Sequence, residues 1–294
     1  MSGAGDIALT LLYAPANRPD RVAKALATGA DVVVVDLEDA VMAAEKDAAR
    51  HGLADAIAAR TPEVRVQVRV NARGTAWHEA DLDAVAALPE WVEVRVPKVE
   101  TAADVAVVRE RSPGRRLHAL VETALGIENA FKIACSDVSS IGLGEADLRS
   151  QLGLPRGLEG DAGLAWQRSR VVNAAAAAGL VPPIMSVYTN VRDVDGLRES
   201  SRAGRAMGFL GRSAIHPAQL PVIRDAFAPT RDDVSRAEEI LARVGGDGPD
   251  SAGVFVLDDG SFLDAAMVSG ARRTIAVARR QCSTERNIKK SAHE

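Results

Sequence analysis

Short runs of β-branched residues alternate with longer helical patterns along most of the chain, and this alternation restricts its fold more than any other feature. Runs such as the valines at 32–35 are typical of strands buried in a parallel sheet beneath helices. We predict eight strands, at 8–13, 31–35, 64–70, 92–96, 117–121, 138–142, 183–187 and 212–215. Helical patterns follow them, at 19–27, 44–59, 79–87, 102–111, 126–134, 163–178 and 194–207. Eight strand-then-helix units favour an α/β fold of the (β/α)₈ TIM-barrel type over an open doubly wound sheet, whose glycine-rich dinucleotide motif is missing after the first strand.

The alternation ends after the eighth strand, and a different organisation follows. Residues 217–225 and 230–244 are predicted helices, a Gly- and Pro-rich cluster at 245–249 breaks the chain, and 254–263 has the pattern of a hairpin that leads into a helix over 264–280. We therefore divide the chain into a barrel over 1–228, a C-terminal hairpin-plus-helix extension over 229–280 and a polar tail over 281–294, which we expect to fray.

Composition excludes several classes of protein. Lys and Arg number 36 against 40 Asp and Glu, and aromatic residues make up 3% of the chain, which argues against nucleic-acid binding. The sequence has no apolar stretch long enough for a membrane span, no signal-peptide pattern at its start, and only two cysteines, Cys135 and Cys282. These features predict a cytoplasmic protein that binds neither nucleic acid nor membrane.

Charged side chains follow the ends of the predicted strands, where the chemistry of a TIM barrel is located. They are Asp36, Glu38 and Asp39 after the second strand, Arg69 at the third, Lys98 after the fourth, Glu122 after the fifth, and Glu145 and Asp147 after the sixth. Because the carboxyl ends of parallel strands meet at one rim, we expect these groups to surround one mouth.

Glu122 and Asp147 form the sharpest pair, because each follows an apolar strand and neighbouring strands would bring both carboxylates to one rim. Two carboxylates at a water-filled mouth suit an octahedral Mg²⁺ ion, which keeps several waters and takes its last ligands from the substrate. The pattern leaves two alternatives open, a general acid and base without metal and a pair of solvated loop acids. We interpret Glu145, an alternative ligand, as a solvent-facing loop acid.

Arg69 has a guanidinium suited to bind a carboxylate through two parallel hydrogen bonds, or to form a structural salt bridge to Asp36 or Glu38. Lys98 is suited to steer an anion or to form an ion pair. We interpret His216, which precedes a proline, as architectural. Cys135 falls in a helical pattern and is expected to be a small core residue.

Seven segments resemble, in order and spacing, the citrate lyase β-subunit-like family of the HpcH/HpaI aldolase/citrate lyase superfamily. They lie at 31–50, 68–75, 96–100, 121–130, 142–148, 208–220 and 259–273, and include the motifs VRVNARGT, VPKVE, VETALGIENA and GLGEADL. The resemblance implies a Mg²⁺-dependent carbon–carbon lyase that cleaves or forms a β-hydroxyacyl-CoA thioester, such as malyl-, citramalyl- or citryl-CoA. Its partners would be a small-molecule CoA thioester and a 2-keto acid, and the protein would be a homo-oligomer, either a homotrimer or a hexamer.

The resemblance also implies roles for individual residues. Glu122 and Asp147 would hold the metal, Arg69 would bind the keto-acid carboxylate, and Asp264 would reach the active site of a neighbouring subunit as the acid/base group. Asp264 also precedes a predicted helix, where an aspartate is typical of an N-cap. The residues that we expect to bind the substrate are Arg69, Glu122, Asp36, Glu38 and Lys98.

The chain departs from the family pattern at two places. The first strand ends in Pro15-Ala16 where relatives carry Pro-Gly, and the seventh has Met185 and Ser186 where relatives carry an aspartate. These departures concern the acyl-CoA substrate, and the metal and carboxylate sites are intact.

The alternative functions are a pyruvate-type class II aldolase on free hydroxy-keto acids, which the extension disfavours, and an acyl-CoA thioesterase on the same scaffold. A non-catalytic binding protein has no need to bring two carboxylates and an arginine together.

Overall fold

The computed structural model of the protein describes residues 7–58, 60–61, 64–155, 157–243, 255–256, 262–263 and 265–291. The chain forms two compact units. The first is Ala8–Phe227, and the described residues of Met1–Ile7 and Ala228–Glu294 belong to the second.

The first unit contains an eight-stranded parallel sheet. Its strands are β1 (Thr10–Pro15), β2 (Val32–Asp36), β3 (Arg65–Arg69), β4 (Glu93–Val96), β5 (Leu117–Val121), β6 (Ser140–Leu143), β7 (Ile184–Met185) and β8 (Gly211–Ala214). The strands pair in the order β6-β5-β4-β3-β2-β1-β8-β7, and β6 and β7 at the two ends lie beside each other. The sheet is therefore a nearly closed barrel. Each strand overlaps a predicted one, and the prediction of a (β/α)₈ fold is confirmed.

Helices alternate with the strands. They are α1 (Pro19–Leu26), α2 (Lys46–His51), α3 (Leu53–Ile57), α4 (His78–Ala86), α5 (Ala102–Arg111), α6 (Ala124–Glu128), α7 (Ala130–Ala134), α8 (Glu145–Gln151), α9 (Leu158–Gly163), α10 (Ala165–Ala177), α11 (Val194–Ala206) and α12 (Gln219–Phe227). The helix predicted over 44–59 is broken at Gly52, which separates α2 from α3. The short helix α8 lies where the sequence predicted only a loop, because a helix of two turns shows too little of the apolar period.

The two faces of the strands differ in polarity. Valines such as Val66 and Val94 are fully buried, as expected for strand residues that pack beneath helices. The alternate positions of β3 to β5 carry Gln67, Glu93 and His118, which bond to one another inside the barrel: Gln67 Nε2 donates to Glu93 Oε2 at 3.0 Å, and His118 Nε2 lies 2.8 Å from the same oxygen. Burial lowers the pKa of His118 to about 4, against the opposing effect of Glu93.

The second unit consists of two helices and a short hairpin. The helices α13 (Arg231–Arg243) and α14 (Ala265–Ser291) pack through Ala237, Ile240 and Ala271. The strands β9 (Phe255–Val256) and β10 (Phe262–Leu263) pair antiparallel. The expectation that the tail frays from residue 281 was wrong, since α14 continues to Ser291 through a segment without proline or glycine. Within the described parts of the chain, every helix is too short or too polar to cross a bilayer.

Candidate active site

A cavity of about 320 Å³ lies at the carboxyl ends of the barrel strands. Carboxylates and arginines on its wall come from β2 to β5 and from the first turn of α8. They share the wall with apolar side chains, namely Leu120, Leu143, Ile184, Val187 and Ile215 together with the ring of Tyr13. Six of the strand-end residues that the sequence singled out thus line one space, namely Asp36, Asp39, Arg69, Glu122, Glu145 and Asp147. Glu38 and Lys98 are not on the wall, but form ion pairs with Arg69 and Asp147, respectively.

Arg69 is anchored by carboxylates from the neighbouring strand, since Asp36 and Arg69 are register partners on β2 and β3. Its Nε and Nη2 donate to the two oxygens of Asp36 at 2.7 and 2.6 Å. Its Nη1 lies 2.8 Å from Glu38 Oε2 and 3.2 Å from Asp39 Oδ2. Although burial opposes it, the charge of Asp36 raises the pKa of Arg69 well above its ordinary value. The structure therefore contains the predicted salt bridge, which leaves two of the five N–H groups of Arg69 without a hydrogen bond to a described residue.

Lys98 connects three carboxylates. Its Nζ lies 3.0 Å from Glu38 Oε1 and 2.9 Å from Asp147 Oδ2, and its backbone N–H donates to Glu122 Oε1 at 2.8 Å. The backbone of Lys98 is left-handed, with a φ of 51°, and no other non-glycine residue in the described chain has a positive φ. Such a conformation costs about 1 kcal/mol. The contacts with Glu38, Glu122 and Asp147 hold Lys98 in this conformation, and Lys98 in turn fixes the spacing of these acids.

Glu122 follows β5 and is buried, with 4% of the residue exposed. Burial, together with the negative charge of Glu38, raises the pKa of Glu122 to about 8, although Lys98 and Arg69 oppose the rise. This burial rules out, for Glu122, the alternative of a solvated loop acid that the sequence left open. A carboxyl that favours its protonated form at neutral pH lies in a place where additional positive charge would be stabilised.

Glu122 and Asp147 provide donors of the kind that Mg²⁺ prefers. In the described chain, Glu122 Oε2 and Asp147 Oδ1 accept no hydrogen bond, and both residues line the cavity. Mg²⁺ needs only one or two protein carboxylates and otherwise keeps its water. No group of three or more His, Cys, Asp and Glu residues able to hold an ion occurs in the described ranges, so a closed cage of the structural-zinc type is not formed by them. The two acids fit a magnesium site that is open to the substrate.

Glu145 differs from its predicted environment. It begins α8, is 8% exposed, and accepts two hydrogen bonds from Arg168, at 2.8 and 2.6 Å. The interpretation as a solvent-facing loop acid was wrong, because Arg168 on α10 covers and neutralises the carboxylate. Cys135 was also misassigned, since it is exposed at the end of α7.

Two other predicted residues lie away from the cavity wall or outside the described chain. His216 is exposed and its Nδ1 accepts a hydrogen bond from the Ala218 N–H at 3.2 Å, a local contact that agrees with an architectural role. Asp264 lies outside the described residues.

The sequence reasoning missed two polar residues on the cavity wall, Arg95 and Ser213, whereas it named Ser186, which also lies there. Arg95 belongs to the strand run VEVRV, whose alternation of charged and apolar residues is visible in the sequence. The strand-end rule does not single it out, because Arg95 lies within β4, in register with Arg69.

The sequence model of the HpcH/HpaI aldolase/citrate lyase family matches residues 9–217. The chain belongs to this family. A citrate lyase subunit beta-like protein of Mycobacterium tuberculosis is 40% identical over 237 residues, which cover 79% of this chain and 83% of that protein. A (3S)-malyl-CoA thioesterase of Cereibacter sphaeroides is 35% identical over 274 residues, which cover 92% of this chain and 94% of that enzyme. The predicted family is confirmed, and its relatives include enzymes.

Solved structures of family members agree in fold. The crystal structure of the M. tuberculosis protein CitE in complex with magnesium, acetoacetate and coenzyme A matches with a TM-score of 0.77 at 36% identity, covering 93% of this chain and 99% of that one. A citrate lyase beta subunit from the same organism, complexed with oxaloacetate and magnesium, matches with a TM-score of 0.68 at 40% identity, covering 78% of this chain and all of that one (100%). Magnesium is thus bound by homologues of this HpcH/HpaI family protein.

Proposed function

We propose that this chain is a Mg²⁺-dependent carbon–carbon lyase that cleaves or forms a β-hydroxyacyl-CoA thioester, with an acyl-CoA and a 2-keto acid as the other reactants. The observation that carries the proposal is the linkage of Glu122 and Asp147 through Lys98, beside Arg69, in one cavity at the barrel mouth. The relatives that act on malyl-CoA or bind magnesium with a keto acid support it.

Glu122 and Asp147 would hold the metal in this proposal. Bound there, Mg²⁺ would polarise a substrate carbonyl and lower the pKa of a substrate hydroxyl. Arg69 would contribute its charge and its two remaining N–H groups to the keto-acid carboxylate, in an orientation that Asp36 and Glu38 fix. The backbone N–H of Lys98 would orient the Glu122 carboxylate, while its ammonium would share Asp147 with the ion. Each of these roles positions a reacting group or neutralises its charge.

Proton transfer at the acyl methyl carbon needs a separate group. We assign it to Asp264 of a neighbouring subunit, as the family resemblance implies, in a cytoplasmic homotrimer or hexamer whose extension over 229–280 packs on the adjacent barrel. The pKa of Glu122 lies close to neutral, which makes this residue the acid/base alternative when no metal is bound.

The test is calorimetric titration of the protein with oxaloacetate, pyruvate and glyoxylate, each with and without Mg²⁺. We expect Mg²⁺-dependent binding of at least one of them, and its loss in Glu122→Ala, which removes the proposed metal ligand; because Glu122 is buried, a melting curve checks that the variant is folded. Incubation with acetyl- or propionyl-CoA and the bound acid should then yield a new thioester detectable by mass spectrometry. Absence of metal-dependent binding to all three acids would leave a binding protein as the better interpretation.

Thioester hydrolysis is a second candidate, favoured by the similarity to (3S)-malyl-CoA thioesterase over 92% of this chain. In that reaction water attacks the thioester carbonyl, the carbon–sulfur bond breaks, and the products are a free hydroxy acid and the CoA thiol. Lysis instead breaks a carbon–carbon bond and keeps the thioester. Release of free thiol from malyl-CoA, measured beside glyoxylate formation, separates the two, whereas turnover of hydroxy-keto acids without CoA would indicate the aldolase alternative.

A further inference from the structure

Arg95 is a buried arginine whose guanidinium faces the cavity. It lies on β4, is 5% exposed, and belongs to the cavity wall. Its Nε donates to the side-chain oxygen of Gln67 at 2.9 Å. No hydrogen bond or ion pair of its Nη1 and Nη2 atoms involves another described residue, so four N–H donors remain for a ligand.

The cavity wall leaves room beside this guanidinium. Gly142 on β6 carries no side chain, and a Cβ placed there would lie 3.6 Å from Arg95 Nη1 and 3.5 Å from Leu120 Cδ1. The missing side chain leaves the Nη1 edge of Arg95 open. The hydroxyl of Ser213, on β8 across the barrel, lies on the same wall.

The two arginines of the cavity therefore differ in availability. Arg69 is neutralised by Asp36, Glu38 and Asp39, whereas Arg95 has an uncharged amide as its only described hydrogen-bond partner. Burying a cation without a carboxylate partner is unfavourable, and the structure compensates Arg95 with nothing stronger than the Gln67 amide. A ligand carboxylate beside Arg95 would supply the missing countercharge through a planar, bidentate pair.

We propose that Arg95 is a specificity-determining residue that binds a second carboxylate, at the end of the 2-keto acid remote from its reacting carbonyl. Together with the proposed lyase function, on which it rests, this selects 2-oxo dicarboxylates over monocarboxylates. Arg95 and Arg69 are register partners on β4 and β3, so the two guanidiniums reach one cavity from neighbouring strands. A cavity near 320 Å³ is large enough for a short four- or five-carbon acid with a carboxylate at each end.

The experiment compares three acids that differ only at the remote end: pyruvate, 2-oxobutyrate and oxaloacetate. Calorimetry with saturating Mg²⁺ measures their dissociation constants on the unaltered protein. We expect oxaloacetate to bind about tenfold or more tightly than 2-oxobutyrate, which has the same chain length without the second charge. In Arg95→Met this preference should disappear, while the affinity for pyruvate changes by less than about twofold.

Two variants complete the design. Arg95→Lys keeps the positive charge but lacks the planar guanidinium that can form two parallel hydrogen bonds. It should retain only part of the preference for oxaloacetate over 2-oxobutyrate. Arg111→Met removes an exposed arginine that pairs with Glu79 and Asp83 on the outer surface, and should bind all three acids as the unaltered protein does. If Arg95→Met does not fold, as a melting curve will show, the comparison of acids on the unaltered protein and Arg95→Lys decides the question.

The outcomes separate this proposal from the function on which it rests. Equal affinities for oxaloacetate and 2-oxobutyrate on the unaltered protein would overturn the role of Arg95 and leave the lyase function standing. An equal loss of affinity for all three acids in Arg95→Met would show a structural role and would overturn it as well. Failure of every acid to bind with Mg²⁺ would instead remove the proposed function, and this proposal with it.

Discussion

Gly144 and Glu122 are so close that a Cβ atom on Gly144 would lie 2.2 Å from Glu122 Oε2 and 2.6 Å from Glu122 Cβ. The glycine is therefore required by space and not by its backbone angles, since its φ of −97° suits any residue. The carboxylate of Glu122 occupies the volume that a side chain at residue 144 would fill. Gly144, the second glycine of the GLGEADL motif, thus determines the direction of the Glu122 side chain, the proposed metal ligand.

Gly144→Ala is predicted to weaken Mg²⁺ binding by about tenfold or more, because the new methyl group displaces the Glu122 carboxylate. Gly142→Ala, two residues earlier, is the matched control, since its Cβ would make only ordinary contacts at 3.5 and 3.6 Å. Calorimetric titration of both variants with MgCl₂ checks the difference. Equal Mg²⁺ affinities of the two variants would mean that Glu122 is not a ligand in its observed position.

Mg²⁺ affinity is predicted to rise with pH up to about 8. Burial, together with the charge of Glu38, raises the pKa of Glu122 to about 8, and the metal binds the ionised carboxylate, so binding at pH 7 displaces a proton. Affinity should increase by about tenfold per pH unit below 8 and level off above it. Calorimetry at pH 7 in buffers of different ionisation enthalpy should show release of about one proton per ion. An affinity that is constant from pH 6 to 8 would contradict the raised pKa or the ligand role.

The barrel and the location of its site were predictable because both follow from short-range pattern. Buried parallel strands are made of β-branched runs, and β5 was predicted with its observed bounds, Leu117–Val121. Because the carboxyl ends of parallel barrel strands meet at one rim, Glu122 and Asp147 could then be placed near each other without knowledge of any contact. What brings them together is Lys98, whose left-handed backbone no sequence pattern announced.

The parts that could not be predicted depend on partners distant in sequence. Glu145 resembles a loop acid until Arg168, from a helix 23 residues later, forms two hydrogen bonds with it. Arg95 resembles any polar residue of a barrel strand until the structure shows Gly142 beside its guanidinium and the Gln67 amide, rather than a carboxylate, as its described hydrogen-bond partner. Both residues were misjudged because the sequence does not show which groups, if any, neutralise a charged side chain.

Acid is predicted to destabilise the barrel through His118. Burial lowers the pKa of this histidine to about 4, below the 6.5 of an exposed one, so the unfolded chain binds a proton that the folded chain does not. Its contribution is present above pH 6.5 and is lost as the pH falls to 4, and amounts to about 3 kcal/mol at most. The melting temperature of the unaltered protein should therefore fall more steeply between pH 6.5 and 4 than that of His118→Gln. His51→Gln, which changes an exposed histidine, should keep the steep profile, and identical slopes in all three proteins would exclude His118 as the cause.

Removing the ammonium of Lys98 is predicted to have opposite effects on stability and on metal binding. In Lys98→Met the backbone N–H that donates to Glu122 is retained, but the cation between Glu38 and Asp147 is lost. Repulsion among the acids then lowers the melting temperature of the metal-free protein by a few degrees, and an incoming divalent ion no longer meets a positive charge. Mg²⁺ affinity should rise by about three- to tenfold at low ionic strength, and the gain should shrink in 0.5 M salt.

Differential scanning fluorimetry with and without MgCl₂ measures both effects, and Arg111→Met controls for the loss of an arbitrary surface cation. Weaker Mg²⁺ binding by Lys98→Met would show that the lysine supports the ion, for example by holding Asp147 in place, and that it does not compete with it.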